Sequence, residues 1–458
     1  MASARNVASN LIHRVNVGDT LTRAAARYPE NLAVVDGDRR FTYRQFNAWV
    51  NEVANALSAH GYTRGDVLAV ASGNNVEFLV SYYACAKTGL VCVPVNLGWR
   101  ADEINYVLDH SEASGIVLER DLLESVIPAL PERVRDAFVV GTGTVDAPRT
   151  HAKYAGFDDL TGSSIEPEHI VDDRDPITYL YTSGTTSSPK GVVGNHVAIY
   201  LESMTMALEC GFTAEDRFAA MLPMFHTAQL NCHCTAALMI GASIHVLRGF
   251  GSTTLLGLIE SERITQIFGL PMMYRAMLDD PTIAQRDLSS LRRACYAMAP
   301  MPQAQLARCV EVFDCEFYLL FGQTEMSPTA AIFRPEHQFS HPGAAGTAAL
   351  NVQVGIMDAD GRLLEAGAEG EIVYRGPHAL TEYLKNPEAT ERAFAHGWFH
   401  SGDVGRLDDD GILWFTDRHK DVIKPGGENV ASIEVETALH QACPDVTEAV
   451  VVGLPHEK

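Results

Sequence analysis

The sequence predicts an α/β protein with mostly parallel sheets, followed by a smaller β-rich part. Strand-like and helical patterns alternate over the first 170 residues and, more regularly, between residues 215 and 325. After about residue 345, Asp-Gly turns separate short alternating runs. We therefore expect a large N-terminal domain of two βαβ-type sheet subdomains plus a small β-rich subdomain, and then the start of a small α+β C-terminal domain.

The first 170 residues contain the signals of a hairpin, a long helix and buried strands. The run LAVVDGDRRFTY predicts a hairpin that turns at Asp36-Gly37, and the following amphipathic pattern predicts a helix that ends at Gly61. VLAVASG and VCVPVN are short apolar runs typical of parallel strands, with a helical pattern between them.

Polar groups follow the predicted strands of the second region where each strand ends. The segments are Pro223–His226, Gly269–Pro271, Ala299-Pro300 and Gly322–Glu325. Ligands of open parallel sheets bind outside the carboxyl ends of the strands. We therefore expect these segments to form one site, on the same sheet edge as the hydroxyl-rich stretch LYTSGTTSSPKG at 180–191.

Composition and charge exclude several classes of protein. Asp and Glu outnumber Lys and Arg by 58 to 35, so the net charge of -23 argues against nucleic acid or an anionic membrane as a partner. There is no apolar run long enough for stable membrane insertion. The nine scattered cysteines, with no CxxC, predict a reducing, cytoplasmic location. Cys232-His233-Cys234 does not match zinc-site spacing, so we interpret it as core.

The stretch at 180–191 has the chemistry of a phosphate-binding loop. Small hydroxyls and a glycine offer O–H and backbone N–H donors to phosphate oxygens, and Lys190 adds a positive charge. The lysine lacks the preceding glycine and following Ser or Thr of a Walker A loop. On composition alone, a solvated Ser/Thr turn is the favoured interpretation.

Four motifs, in order, resemble the signatures of the adenylate-forming superfamily, which contains acyl-CoA synthetases, firefly-type luciferases and peptide-synthetase adenylation domains. They are YTSGTTSSPKG at 181–191, FGQTE at 321–325, WFHSGDVG at 398–405 and DRHKDVIKPGGENV at 417–430. The resemblance runs from about residue 18 to the end and is closest to acyl-CoA synthetases of the fatty-acid-CoA-ligase type. It implies a 1–416 ATP- and acyl-binding domain, a 417–421 hinge and a partial mobile domain over 422–458.

The resemblance implies a two-step ligation that uses ATP, Mg²⁺ and coenzyme A. A carboxylate attacks the α-phosphate of ATP to give an acyl-adenylate and pyrophosphate, and a thiol then displaces AMP. The phosphate loop would be Thr182, Ser183, Gly184, Thr185, Thr186 and Lys190. Adenine and ribose would be bound by Ala299, Phe321, Asp403 and Arg418. The acyl pocket would be lined by Gln229, Gly269, Met298 and Leu320.

The catalytic assignments also follow from the resemblance. Glu325 would bind Mg²⁺, Thr324 would contact the α-phosphate, and His226 would lie near the acyl carboxylate. For the second step, Lys420 would be the hinge, Lys424 catalytic and Gly427 part of the coenzyme A tunnel. Without the motifs, simpler structural interpretations stay open. Glu325 could cap a helix, Asp403 could form an Asx turn, His226 could be structural and the charged hinge could be a solvated linker.

Departures from the family pattern bear on geometry and substrate. Ser187 and Asp417 stand where glycine is usual, and Phe321 stands where tyrosine is usual. Met298 and Leu320 replace glycines of open acyl tunnels, so we expect both side chains to fill volume and favour a compact or medium-sized acid. The family's C-terminal segment with its adenylation lysine has no counterpart before Lys458, and we expect a truncated chain.

Several functions remain to be distinguished at this point. An acyl-CoA synthetase is the leading prediction, with a small-molecule carboxylic acid, ATP and coenzyme A as partners. A homodimer is compatible with this prediction. An acyl-AMP ligase that loads an acyl carrier protein is the main alternative. A luciferase-like oxygenase is weakly excluded, and a protein that has lost adenylation and only binds nucleotide is a further alternative. Amino-acid activation is disfavoured because histidine follows Phe225 where those domains carry aspartate.

Overall fold

The fold is that of a computed structural model. It describes residues 6–141, 151–182, 189–299 and 301–418, and positions 432, 435, 436, 438, 439, 443, 446 and 449–452. Seven predicted site residues lie outside the described residues: Ser183, Gly184, Thr185, Thr186, Lys420, Lys424 and Gly427.

The described chain alternates strands and helices as the sequence predicts. The strands are β1 Leu32–Asp36, β2 Arg39–Thr42, β3 Val67–Ala71, β4 Val91–Pro94, β5 Ala113–Glu119, β6 Asp136–Val140, β7 Lys153–Gly156, β8 Pro176–Thr182, β9 Lys190–Asn195, β10 Arg217–Ala220, β11 Ser243–Val246, β12 Gln266–Gly269, β13 Arg293–Tyr296, β14 Glu316–Gly322, β15 Thr329–Phe333, β16 Thr347–Ala348, β17 Gln353–Met357, β18 Gly370–Arg375, β19 Phe399–Leu407 and β20 Leu413–Arg418.

Capping side chains define where several helices begin. The α-helices are α1 Val7–His13, α2 Val17–Arg27, α3 Tyr43–Ala59, α4 Val76–Thr88, α5 Ala101–His110, α6 Leu123–Val126, α7 His196–Glu209, α8 Thr235–Ile240, α9 Ser252–Glu262, α10 Pro271–Leu278, α11 Gln303–Phe313 and α12 Pro387–Ala393, and a π-helix spans Ala228–Cys234. Thr42 caps α3, and Asn75 and Asn195 cap α4 and α7, because each side chain accepts a first-turn backbone N–H.

Two large sheets and one small sheet form the framework. The seven-stranded sheet has the order β7-β6-β5-β3-β4-β8-β9 and is parallel except at the β8–β9 pair. The nine-stranded sheet has the order β16-β15-β14-β13-β12-β10-β11-β1-β2, with a parallel centre and antiparallel ends. An antiparallel sheet, β17-β18-β19-β20, follows. The predicted fold class is thus confirmed.

Helices between the two large sheets form the main core. Every residue of α4 is buried, which requires that protein covers this helix on all sides. The largest apolar cluster joins β3, α4 and β11, through residues such as Leu68, Tyr82 and Ile244. Both sheets therefore pack against one shared layer of helices.

The phosphate loop does not belong to the sheet that the sequence analysis assigned it to. It connects β8 and β9 of the seven-stranded sheet, whereas the other predicted site segments follow strands of the nine-stranded sheet. The expectation of one common sheet edge is therefore wrong. The two edges meet because the segment 380–384 hydrogen-bonds to β9 and also contacts Glu325.

Candidate active site

The ends of the phosphate loop are fixed by a strand pair. Thr182, at the end of β8, lies opposite Lys190, at the start of β9, in the antiparallel register. Both residues are half-buried. The register holds the two ends of the loop together, and it presents the ammonium of Lys190 at the end of the hairpin.

The turn after β14 places Thr324 and Glu325. Gly322 is required here because a Cβ atom at this position would lie 2.0 Å from the carbonyl oxygen of Pro328. The N–H of Gln323 donates to that same oxygen at 2.9 Å. A single 3-10 turn over Thr324–Met326 follows, and Thr324 and Glu325 are half-buried at its start. The close backbone approach thus sets the direction of both side chains.

Glu325 and Lys190 are joined through Tyr383. The phenol of Tyr383 donates to Glu325 Oε1 at 2.9 Å, and Lys190 Nζ lies 5.2 Å from the centroid of the tyrosine ring. The N–H of Leu380 donates to the carbonyl oxygen of Glu325 at 2.7 Å. The predicted phosphate-binding cation and the predicted metal-binding carboxylate therefore both contact Tyr383, the first at its ring face and the second at its hydroxyl.

The residues present fit a magnesium ion that is held mainly by phosphate. Mg²⁺ usually takes one or two carboxylates together with substrate phosphates and water. Glu325 supplies one carboxylate, and its Oε2 accepts no hydrogen bond from the residues that the structure describes. Within that part of the chain no group of three or more His, Cys, Asp or Glu side chains could hold a metal ion by itself.

Asp403 is a buried carboxylate on β19. Gly402, before it, adopts a left-handed φ of 75°, and the N–H of Asp403 donates to Ser401 Oγ at 3.0 Å. Arg418 Nε lies 3.3 Å from Asp403 Oδ1, but that oxygen receives no hydrogen bond from the described residues. Burial raises the pKa of Asp403 to about 6, although the charge of Arg418 opposes the rise.

The side chains of Glu371 and His400 support the turn that carries Asp403. The N–H of Gly402 donates to Glu371 Oε1 at 3.0 Å, and His400 Nδ1 lies 2.7 Å from Glu371 Oε2. His400 Nε2 also lies 3.1 Å from the carbonyl oxygen of Ala395. The negative charges of Glu325 and Glu371 add to the rise in the pKa of Asp403, so these carboxylates share one electrostatic environment.

Aromatic side chains lie near the predicted adenine position. The rings of Phe321 and Phe415 are 5.5 Å apart between centroids and tilted by 50°. Ala299 is exposed three residues beyond the end of β13. Arg418 pairs with Asp403 in the register of β19 and β20, which places its guanidinium beside the predicted ribose site. A flat base could stack on such a surface.

His226 lies in the segment after β10, two residues before the π-helix. Its N–H donates to the carbonyl oxygen of Pro223 at 3.1 Å, and its ring lies 4.6 Å from the ring of Phe225. The residue is exposed, but neighbouring protein atoms desolvate its side chain in part and so lower the pKa of His226. A neutral imidazole at neutral pH follows, and it can donate one hydrogen bond to a carboxylate.

Gln229 and Gly269 lie deeper, among the core side chains. Gln229 is fully buried, and its Oε1 accepts from the N–H of Leu222 at 3.0 Å while Nε2 donates to Cys234 Sγ. Its amide is thus used within the protein. Gly269 ends β12, where a Cβ atom would lie 3.1 Å from the methyl group of Met221.

Met298 and Leu320 differ in exposure. Leu320 is 5% exposed and belongs to the main core. Met298 is 82% exposed and adopts a left-handed φ of 75°. The expectation that both side chains fill interior volume is therefore wrong for Met298, because a left-handed residue just after the strand turns its side chain outward.

Sequence analysis missed three residues that shape this site. They are Tyr383, which contacts Glu325; Glu371, which supports Gly402; and Phe415, which packs on Phe321. No local pattern singled them out, because each acts through a partner that is distant in sequence. Among the described helices, none is both long and apolar enough to cross a bilayer.

Comparison with known proteins gives a consistent assignment. The AMP-binding enzyme family matches residues 21–384. The chain is 34% identical over 450 residues to the long-chain-fatty-acid–CoA ligase FadD13 of Mycobacterium tuberculosis, which covers 97% of this chain and 86% of that one. It is 32% identical over 440 residues to the feruloyl-CoA synthase of Amycolatopsis, with 96% and 86% covered.

A solved structure with bound nucleotide is also similar. The o-succinylbenzoate coenzyme A synthetase MenE of Bacillus subtilis, in complex with ATP and a magnesium ion, has a TM-score of 0.83 at 26% identity. The match covers 96% of this chain and 87% of that one. Together with the arrangement of Lys190, Glu325 and Asp403 described above, these similarities show that the chain belongs to the AMP-binding, adenylate-forming enzyme family of acyl-CoA synthetases.

Proposed function

We propose that the site described here converts a carboxylic acid and ATP into an acyl-adenylate and pyrophosphate, and then transfers the acyl group to coenzyme A. The observation that carries this proposal is the contact of Tyr383 with both Lys190 and Glu325, in the same electrostatic environment as Asp403. A cation, a metal-binding carboxylate and a ribose acceptor are the groups that an adenylation site requires.

Each group in this cleft has a defined task. Lys190, with Thr182 and the loop between them, would bind the β- and γ-phosphates. Thr324 would contact the α-phosphate, and Glu325 would hold Mg²⁺, which neutralises charge on the phosphate oxygens. Asp403 would accept hydrogen bonds from the ribose hydroxyls, because its Oδ1 accepts none from the described residues.

Adenine and the acid would occupy opposite ends of the cleft. Phe321 and Phe415 provide a stacking surface, and Ala299 and Arg418 would complete the nucleotide-binding site. His226, kept neutral by partial desolvation, would donate a hydrogen bond to the acid's carboxylate. The carboxylate oxygen then forms a bond to the α-phosphorus while the bond to pyrophosphate breaks.

We infer a compact or medium-sized acid as the substrate. The buried side chain of Leu320 reduces the volume available beyond the reacting carboxylate. Gln229 and Gly269 would line the same volume. The names of the relatives include both a long-chain fatty acid and an aromatic acid, so the size of the acid rests on Leu320 alone.

The second half-reaction involves residues outside the described part of the chain. We propose Lys420 as the hinge, Lys424 as the residue that assists thioester formation and Gly427 as part of the coenzyme A tunnel. The acceptor thiol is that of coenzyme A in this proposal. All nine cysteines are free, which supports a reducing, cytoplasmic location.

The experiment is acid-dependent exchange of pyrophosphate into ATP, measured with the full gene product against aliphatic, aromatic and polycyclic acids. We expect exchange with one class of acid, followed by thioester formation when coenzyme A is added. A carrier-protein ligase would show exchange but require acyl carrier protein for product release. Absence of exchange with every acid, from protein that still binds ATP, would contradict the proposed adenylation.

A further inference from the structure

The segment that carries Tyr383 is an extra strand-like addition to β9. The chain crosses from the small sheet and hydrogen-bonds along β9 through its backbone. The bonds are Thr381 N–H to Val193 O at 2.9 Å, Val193 N–H to Glu382 O at 3.0 Å and Leu384 N–H to Gly191 O at 2.8 Å. The position of Tyr383 is therefore fixed by backbone pairing and does not depend on its own side chain.

The side chain of Tyr383 has two distinct contacts in the site. Its hydroxyl donates to Glu325 Oε1 at 2.9 Å, and its ring face lies under Lys190 Nζ at 5.2 Å. The ring is half-buried.

We propose that Tyr383 is a positioning residue for nucleotide activation, which fixes Glu325 in one orientation and holds Lys190 at a set distance from it. This inference rests on the proposed function, because it concerns how the metal and phosphate groups of that site are aligned. It adds a residue that none of the four sequence motifs contains. The phenol occupies Oε1 of Glu325 and so directs Oε2 toward the cleft.

The distance between the Glu325 carboxylate and the Lys190 ammonium matters because both groups would bind the same triphosphate. A free glutamate can rotate about its side-chain bonds, and ordering it upon binding costs conformational entropy. A hydrogen bond to the carboxylate before the nucleotide arrives removes part of that cost. The ring of Tyr383 likewise restricts the Lys190 side chain before the nucleotide binds, since a cation over an aromatic face is attracted to it.

Three variants separate these contacts. Tyr383→Phe keeps the ring beneath Lys190 and removes the hydrogen bond to Glu325. Tyr383→Leu removes both. Tyr62→Phe is the matched control, because it also removes a phenol bond to a carboxylate, that of Asp136 at 3.0 Å. Asp136 lies in β6, four strands away from β8 in the seven-stranded sheet.

Two readouts are used: binding of Mn²⁺·ATP, followed by electron paramagnetic resonance of the manganese, and binding of metal-free AMP. We expect Tyr383→Phe to weaken Mn²⁺·ATP binding about tenfold, the equivalent of about 1.4 kcal/mol, and to leave AMP binding and the melting temperature unchanged. Tyr383→Leu is expected to weaken Mn²⁺·ATP binding further. Tyr62→Phe should match the wild type in both.

Other outcomes would overturn the inference. Wild-type affinity for Mn²⁺·ATP in Tyr383→Phe would show that the phenol positions nothing. An equal loss of AMP and Mn²⁺·ATP binding would assign Tyr383 a purely structural role. Pyrophosphate exchange by the wild type tests the proposed function separately. A wild-type protein that binds Mn²⁺·ATP but exchanges no pyrophosphate would refute the proposed function. The comparison of Mn²⁺·ATP binding between the variants would still decide the role of Tyr383.

Discussion

Replacement of Asp403 by Asn is expected to stabilise the nucleotide-free protein at neutral pH and to weaken its binding of AMP. The side chain of Asp403 is 7% exposed, and its Oδ1 receives no hydrogen bond from the described residues. The ionised carboxylate is therefore poorly solvated until a nucleotide provides donors. Asparagine has nearly the same shape without the charge, so it removes the unfavourable burial and also the acceptor of the ribose hydroxyls.

The size and sign of the effect follow from the pKa. Burial raises the pKa of Asp403 from its ordinary value of 3.8 to about 6 in the folded protein. The folded state therefore binds more protons than the unfolded state between about pH 4 and pH 6, and stability falls as the pH rises through that window. The full cost above pH 6 is about 3 kcal/mol. That cost already includes the attraction of Arg418. Because Asp403→Asn still buries an amide whose hydrogen bonds are incomplete, we expect a net gain of about 1 to 2 kcal/mol.

Melting temperatures of wild type and Asp403→Asn at pH 7.5 and pH 5.0 measure this effect. The variant should melt higher at pH 7.5, and the difference should shrink at pH 5.0, where the wild-type carboxyl is mostly protonated. AMP binding at pH 7.5 should fall about 100-fold, since two charge-assisted hydrogen bonds are lost.

Asp417→Asn is the matched control for this prediction. The carboxylate of Asp417 accepts bonds from the N–H and Oγ of Ser432 at 2.6 and 2.8 Å and from the N–H of Arg418 at 2.7 Å. Its replacement should lower the melting temperature. An equal or lower melting temperature for Asp403→Asn, or a difference that does not change with pH, would refute the reasoning.

Three further predictions concern single side chains of the same site. Lys190→Ala should weaken ATP binding about tenfold and leave AMP binding unchanged by calorimetry, because in the proposed function the ammonium would contact only the β- and γ-phosphates, which AMP lacks. Met298→Gly should stabilise the protein by about 1 kcal/mol at most, measured by thermal melting, because it relieves a left-handed φ of 75°; a lower melting temperature would contradict this. Leu320→Gly should move the preference in the exchange assay toward longer acids, and an unchanged profile would remove the argument for a restricted pocket.

The repeating parts of the fold could be predicted because their signals are local. The hairpin at Asp36-Gly37 and the helix before Gly61 depend on short-range patterns, and both form in the structure. The alternation between residues 215 and 325 likewise predicted β10 to β14, because buried parallel strands require apolar runs of this length.

The assignment of strands to sheets could not be predicted in the same way. The β8–β9 hairpin, with Lys190, pairs with β4 and thus joins the other sheet, a choice made by tertiary packing. Similarly, Tyr383 reaches Glu325 across 58 positions of sequence, and no periodicity relates them.

Residue type alone did not predict how deeply each site residue is buried. The motif identified Asp403 as a carboxylate beside Gly402, but its burial and the lack of a hydrogen bond to its Oδ1 from the described residues depend on how β19 packs. The apolar side chain of Met298 suggested a buried position. The backbone conformation after β13 instead turns it outward, and no pattern in the sequence reports that φ angle.

The most direct test of the central claim follows the oxygen atoms of the acid. The gene product would be incubated with ATP, coenzyme A and an accepted acid whose carboxylate carries ¹⁸O, and the AMP would be analysed by mass spectrometry. In the proposed reaction a carboxylate oxygen bonds to the α-phosphorus and stays there when the thiol attacks the acyl carbon. We therefore expect one ¹⁸O atom in each AMP, whereas unlabelled AMP, or label in pyrophosphate, would contradict the acyl-adenylate.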